Sequence, residues 1–276
     1  MDDQGGAGGA TAADAARDRQ RVAGQVVVIT GASAGIGAAL AERLAREGAL
    51  VVLTARRAEE LQAVAARCGP GALAVPADAT DAAALGAVAE AAVARHGRLD
   101  VWVNNVGRGI TRAPSAVRDA DVLEMIRANV LPALYGAEAA LPHFRARGTG
   151  QLVNVSSMLG RVPSAPFRAA YSAAKHHLNA LTANLRDELR TTHPGIVVTL
   201  VSPGVVATDF GANALHGGPD SRTLPEAQPV EEVAAVLAWA IAERREDVYT
   251  RPGMRQRVLD HFARVGEDPP PEALAP

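Results

Sequence analysis

Tyr171 and Lys175 stand four residues apart in a stretch rich in helix-forming alanine. On a helix those positions share one face. A free phenol, with a pKa near ~10, is a poor base at neutral pH, and a cation beside it stabilises the phenolate. The pair could therefore move a proton to or from a substrate oxygen. Of 28 basic residues, 27 are arginine, and Lys175 is the only lysine. Neither Tyr135 nor Tyr249 has a lysine four positions on. An ammonium is a compact charge with three donors, which the broad guanidinium fork replaces badly. That gives a physical reason for one lysine to persist here. The competing reading is a surface helix that carries Tyr and Lys by accident.

Two further polar positions belong to the same chemistry. Val153-Asn154-Val155-Ser156-Ser157 ends an apolar run shortly before Tyr171, where a serine hydroxyl could donate to an oxygen that gains charge. Asn129 precedes Pro132, which lacks an N–H and should kink the helix containing it. The residues alone leave open a helix bend with an incidental Asn.

A glycine-rich turn supplies the second half of a site. Thr30-Gly31-Ala32-Ser33-Ala34-Gly35-Ile36-Gly37 follows the apolar run Val26–Thr30 and opens a helical segment. Glycines let the backbone turn sharply and approach a pyrophosphate, and free N–H groups at the helix start attract it. With 26 glycines in the chain the pattern alone is weak; its place between strand and helix strengthens it. The next apolar run ends in Arg56-Arg57. An acidic residue there would accept from a ribose 2′-OH; arginine can bind a 2′-phosphate instead. This favours NADP over NAD, with Arg56 the preferred contact.

The elements that must position these residues alternate. Apolar runs at 26–30, 49–54, 72–76, 99–104, 151–156 and 196–202 are separated by Ala/Leu-rich helical stretches, among them a long one from about Asp121 to Arg147. Continuously apolar strands between helices predict a parallel sheet buried on both faces. Right-handed crossovers make it a doubly wound, Rossmann-like α/β fold with helices on both faces, and a seven-stranded sheet is expected although only six runs are located. One oxidoreductase domain is expected over 24–262, between flexible tails at 1–23 and 263–276. The Gly/Pro-rich stretch 209–229 is expected to be a loop and a candidate lid.

The GxxxGxG spacing, with YxxxK and the order of the remaining motifs, resembles the short-chain dehydrogenase/reductase family over residues 24–250. The resemblance implies reversible hydride transfer between NADP(H) and a carbonyl or alcohol. Tyr171 is then the general acid/base, Lys175 the ribose anchor, Ser157 the oxygen-binding donor (with Ser156 the alternative) and Asn129 the support of a water relay. It implies cofactor contacts from Gly31, Ser33, Ala34, Gly35, Ile36, Gly37, Arg56, Tyr171 and Lys175. Asp78 would meet the adenine, although helix capping is its rival role. Asn105 and Gly107 come from Asn104-Asn105-Val106-Gly107, where Val106 departs from the family's alanine. Pro203, Gly204, Val206 and Thr208 come from Pro203-Gly204-Val205-Val206-Ala207-Thr208. Ser157 precedes Tyr171 by fourteen residues, one more than is usual in the family. The resemblance also implies a homodimer or homotetramer packed through helices near 121–147 and 170–190, with Ala173, Ala174 and Ala180 permitting close approach.

Composition narrows the other classes. Net charge is −2 with scattered basic residues, so no nucleic-acid or anionic-membrane footprint is expected. No apolar run is long enough to span a bilayer, and the N-terminal segment has no secretory h-region. Cys68 alone forms no internal disulfide, which fits a reducing cytoplasm. No His/Cys spacing suggests a metal. Two other readings stand beside the reductase: a catalytically silent NADP-binding sensor or scaffold, and epimerisation or dehydration with bound nicotinamide. Residues 108–114, 158–168 and 209–229 should shape the substrate pocket; Ile110, Met158, Leu159, Val162, Phe167, Phe210 and Leu215 point weakly to an apolar substrate.

Overall fold

A computed structural model describes residues 21–268. Seven strands form one sheet: β1 (Val26–Thr30), β2 (Leu50–Thr54), β3 (Leu73–Ala74), β4 (Val101–Asn104), β5 (Gly150–Val155), β6 (Ile196–Ser202) and β7 (Asp247–Tyr249). Every pairing is parallel, and the order is β3-β2-β1-β4-β5-β6-β7. The seventh strand is a three-residue segment that the sequence had not located, and β3 is shorter than its apolar run suggests.

Strand residues alternate between two faces, so each continuous apolar run serves two cores. Val27, Ile29, Val101, Val103, Val153 and Val201 pack on one side against α1 (Gly35–Arg46), α2 (Ala58–Cys68) and α7 (Val230–Ala242). Val26, Val28, Trp102, Leu152 and Val198 face the other way, toward α3 (Ala82–His96), α5 (Leu131–Arg147) and α6 (Ala169–Thr192). The packed chain begins before residue 24: Val22 is wholly buried and Arg21 pairs with Glu243. The rest of the expected N-terminal tail, and 269–276 of the C-terminal one, lie outside the described residues.

Pro132 does break the helix it sits in. The expected 121–147 helix is two, α4 (Asp119–Asn129) and α5, with Val130 at the junction (φ −109°, ψ −55°). Without a donor at position 132, the Ala128 carbonyl loses its intrahelical partner. A last helix, α8 (Met254–Phe262), follows β7; no periodicity had marked it. Among the described residues no helix is long and apolar enough to cross a membrane.

A buried polar chain fixes α6 on the sheet. Asn104 Nδ2 donates to Asn154 Oδ1 (2.9 Å), and Asn154 Nδ2 donates to Thr182 Oγ1 (2.9 Å). The chain thereby links β4 and β5 to the helix that carries Tyr171 and Lys175. Ala174 is buried within this protomer, so of the three alanines expected at a subunit contact it is not open to a partner; Ala173 and Ala180 are exposed.

Candidate active site

The chain runs outward in one direction from β1 to β3 and in the other from β4 to β7, so strand order reverses between β1 and β4. Crevices at the carboxyl ends of such strands bind ligands. Asn105 closes the gap: its N–H donates to Thr30 Oγ1 (3.0 Å), and its Nδ2 to the carbonyls of Thr30 (3.1 Å) and Gly31 (3.3 Å). A cavity of about 1510 Å³ opens there.

One half of it suits a dinucleotide. Gly31 (φ +67°) and Gly35 (φ +55°) hold the turn in left-handed conformations. A Cβ on Gly37 would stand 2.5 Å from the Gly31 carbonyl and 2.6 Å from Asn105 Nδ2, so glycine alone fits. Gly37 thus shapes the turn from behind and does not line the cavity. The N-cap of α1 is Ala34, and no side chain caps it. Its first N–H groups therefore remain available to an anion. Ser33, Ala34, Ile36, Arg56, Arg57 and Asp78 line this half. Arg57 Nη2 donates to Ser33 Oγ (3.1 Å), a contact the sequence had not assigned to it. Asp78 accepts from the Thr80 N–H and hydroxyl (both 2.9 Å), which, with Arg56 contributing less, hold its carboxyl below its ordinary pKa. The cap of α3 is instead Asp81, so the rival role for Asp78 falls away.

Tyr171 and Lys175 line the same cavity, buried to 7% and 3% exposure. Lys175 Nζ lies 5.8 Å from the centroid of the Tyr171 ring and donates to the Val155 carbonyl (3.0 Å). Burial pushes Tyr171 up to about 12; hydrogen bonding from Ser157 and the charge of Arg168 work against it. Burial pulls Lys175 down to about 8. The two serines separate by their partners. Ser156 Oγ donates to Asn179 Oδ1 (2.5 Å), away from the phenol, whereas Ser157 lies beside it.

Asn129 does not line the cavity. Its Nδ2 donates to the carbonyls of Arg108 (2.9 Å) and Met125 (3.0 Å), and its Oδ1 accepts from the Arg108 N–H (3.1 Å). It braces the loop after β4 from behind: a Cβ on Gly107 would lie 2.9 Å from Asn129 Oδ1 and 3.5 Å from Lys175 Nζ. Asn105, Gly107, Pro203, Gly204, Val206 and Thr208 all line the cavity.

The other half has walls from Met158, Leu159, Val162, Phe167 and Phe210, with Phe210 edge-on to Tyr171 at 5.6 Å between centroids. Ile110 and Leu215 do not line it; they pair with each other, holding loop 209–229 against the loop after β4. The Thr111 N–H donates to the Leu215 carbonyl (2.9 Å), and His216 Nε2 meets Asp121 Oδ1 at 2.8 Å. Five lining residues are among those that went unnamed in the sequence reading. Arg168 leaves no motif. Arg251 and the α8 residues Met254, Arg257 and His261 line the rim from a region with no glycine or acid–base pattern to mark it.

Comparison with known proteins places this geometry. A family model described as short chain dehydrogenase matches residues 25–217. The chain is 35% identical to a dehydrogenase/reductase SDR family protein 7-like of Anopheles gambiae over 86% of this chain and 78% of the relative. It is 38% identical to human dehydrogenase/reductase SDR family member 7 over 70% of this chain, but spans only 58% of that relative. A short chain dehydrogenase/reductase of Burkholderia phymatum in complex with NAD superposes with a TM-score of 0.80 at 27% identity, over 90% of this chain and 98% of the other. An alcohol dehydrogenase of Thermococcus sibiricus complexed with 5-hydroxy-NADP gives 0.70 at 25%, over 82% and 95%. The chain belongs to the short-chain dehydrogenase/reductase family of oxidoreductases.

Proposed function

We propose that this protein is an NADP(H)-linked oxidoreductase that interconverts a carbonyl and an alcohol, with Tyr171 as general acid/base. The observation that carries the reading is the burial of Tyr171 and Lys175 in the cavity that also receives the Gly31–Gly35 turn. The bound nicotinamide supplies or accepts the hydride. Gly31, Ser33, Ala34, Gly35 and Ile36 hold its pyrophosphate, Asp78 meets the adenine, and Asn105, Gly107, Pro203, Gly204, Val206 and Thr208 line the nicotinamide end. Lys175 anchors the ribose. Ser157 donates to the substrate oxygen, and Tyr171 passes its proton to that oxygen during reduction. Asn129 acts as a positioning residue, since its amide is spent on the Arg108 and Met125 backbone.

NADP is preferred over NAD in this reading because both cations at the β2 end, Arg56 and Arg57, face the cavity and no carboxylate occupies that strand end. The solved relatives include an NAD complex and a 5-hydroxy-NADP complex, so the preference rests on this chain's own residues. The packed unit is one domain acting on a small molecule, as a cytoplasmic homodimer or homotetramer. NADPH and NADH oxidation measured in parallel against ketones, aldehydes, sugars and steroids tests the reading: NADPH-linked reduction of at least one carbonyl class supports it, and cofactor binding without any turnover contradicts it.

A further inference from the structure

Arg168 is the N-cap residue of α6, three positions before Tyr171, and is only 8% exposed. A guanidinium carries five N–H donors. The described residues give it one acceptor, the Ile110 carbonyl, reached by Nη1 at 3.0 Å. No carboxylate among them forms an ion pair with it, and the Phe167 ring lies 5.5 Å from the guanidinium carbon to the centroid. Nε and Nη2 have no protein partner among the described residues, and neither is a wholly buried atom; Arg168 itself lines the cavity. A buried cation with free donors is costly unless an anion or water completes it.

The surroundings are shaped to admit this group. A Cβ on Gly109 would come within 2.6 Å of Arg168 Nη1, and one on Gly218 within 3.3 Å of Nη2. The same point beside Gly109 lies 3.1 Å from Phe210 Cε1, and Phe210 packs on Tyr171. Arg168, Phe210 and Tyr171 all line the cavity, with Phe210 close to both of the others. The charge of Arg168 reaches the phenol. The lining also holds Arg251, Arg257 and Arg264 and, against them, Asp209, Glu226 and Asp260.

We propose that Arg168 is a specificity-determining residue that binds a carboxylate on the substrate, so that the physiological substrate is an oxo acid, or the matching hydroxy acid, with an apolar body. The planar fork fits a carboxylate, and Leu159, Val162 and Phe167 provide walls for the hydrocarbon part. The inference deepens the carbonyl-reduction reading and rests on it for the reaction. In that reaction the nicotinamide, when bound, would supply a hydride to the carbonyl carbon as the C=O π pair moves to oxygen; Tyr171 would give its proton to that oxygen and regain one from solvent. The carboxylate is unchanged and stays on Arg168.

The test compares 4-phenylbutanoate with 4-phenylbutanamide by calorimetry on the NADP⁺-loaded protein, and phenyl-substituted oxo acids of increasing chain length with their methyl esters in NADPH oxidation. The acid should bind at least tenfold tighter than the amide. Arg168→Gln should bring that ratio close to one, and Arg168→Lys should retain part of it. Equal binding of acid and amide to the unmodified protein overturns the inference, as does a ratio that survives Arg168→Gln. Reduction of esters as efficiently as acids overturns it while sparing the reductase reading. Selective, Arg168-dependent binding of acids with no reduction of any compound sustains the anion site and counts against the reductase reading.

Discussion

Lys175 Nζ stands 5.8 Å from the centroid of the Tyr171 ring and donates to the Val155 carbonyl, not to the phenol. The sequence suggests an ammonium that pulls the phenol's pKa down. In the structure burial dominates both groups, raising Tyr171 to about 12 and lowering Lys175 to about 8. The groups that favour phenolate are Ser157 and Arg168. At neutral pH the phenol thus keeps its proton, available to a carbonyl oxygen in the proposed reduction. This is the state that reduction requires.

Lys175 makes stability depend on pH in a defined window. Its folded pKa, about 8, lies below its ordinary 10.5, so the unfolded chain binds the proton more tightly. Stability should therefore be lowest from this group below pH 8 and should rise between pH 8 and 10.5, by about 2–4 kcal/mol in all. Cys68, raised from 9.0 to about 11, and Tyr171, raised from 10.0 to about 12, act oppositely above pH 9 and pH 10. Comparing urea unfolding of the cofactor-free protein with Lys175→Met cancels those contributions. The variant should be the more stable at pH 7, with the gap closing by pH 10; a gap that does not change with pH contradicts the assignment.

Lys175→Arg should reduce kcat at least tenfold and weaken NADPH binding. The larger guanidinium must fit where Gly107 and the Val155 carbonyl already confine Nζ. Steady-state kinetics with NADPH titration checks this, and a near-normal rate would remove the argument built on the sole lysine.

Arg56→Ala should raise the dissociation constant for NADPH far more than for NADH, by about 10–100-fold, the worth of a hydrogen bond to a charged group. Arg57→Ala should show the same selectivity more weakly, because its Nη2 is already engaged with Ser33. Fluorescence titration with both cofactors decides it, and equal losses would reject a 2′-phosphate site.

Gly37→Ala should destabilise the protein by about 1–3 kcal/mol, the usual cost of overpacking, and impair binding of either cofactor. The new methyl would meet backbone, the Gly31 carbonyl, which cannot move without opening the turn. Denaturant unfolding and cofactor titration measure the two effects; a variant as stable as the parent would mean that the turn is looser than its geometry implies.

Much of this architecture is legible in the sequence because it rests on local patterns. Apolar runs between helical stretches report a sheet buried on both faces, and glycines after β1 report a sharp turn. Lys175 stands out because nothing else in the chain shares its type. What escaped has no local signature. The chain from Asn104 through Asn154 to Thr182 joins residues remote in sequence. Arg168 looks like any of 27 arginines until folding buries it with no carboxylate partner among the described residues. Helix α8 is short and polar, and only its position at the rim gives it a part in the site. Val130 breaks the α4–α5 region at a place that Pro132 announced, but the apolar pattern ran straight across it.

The most direct measurement is the single-turnover rate of NADPH oxidation by Tyr171→Phe with the best carbonyl substrate found for the parent enzyme. The hydride step should slow by about 10²–10⁴-fold, the usual contribution of a positioned proton donor, while the NADPH dissociation constant stays within about threefold. Retention of more than a tenth of the parent rate would show that the proton comes from another group and that Tyr171 is not the acid.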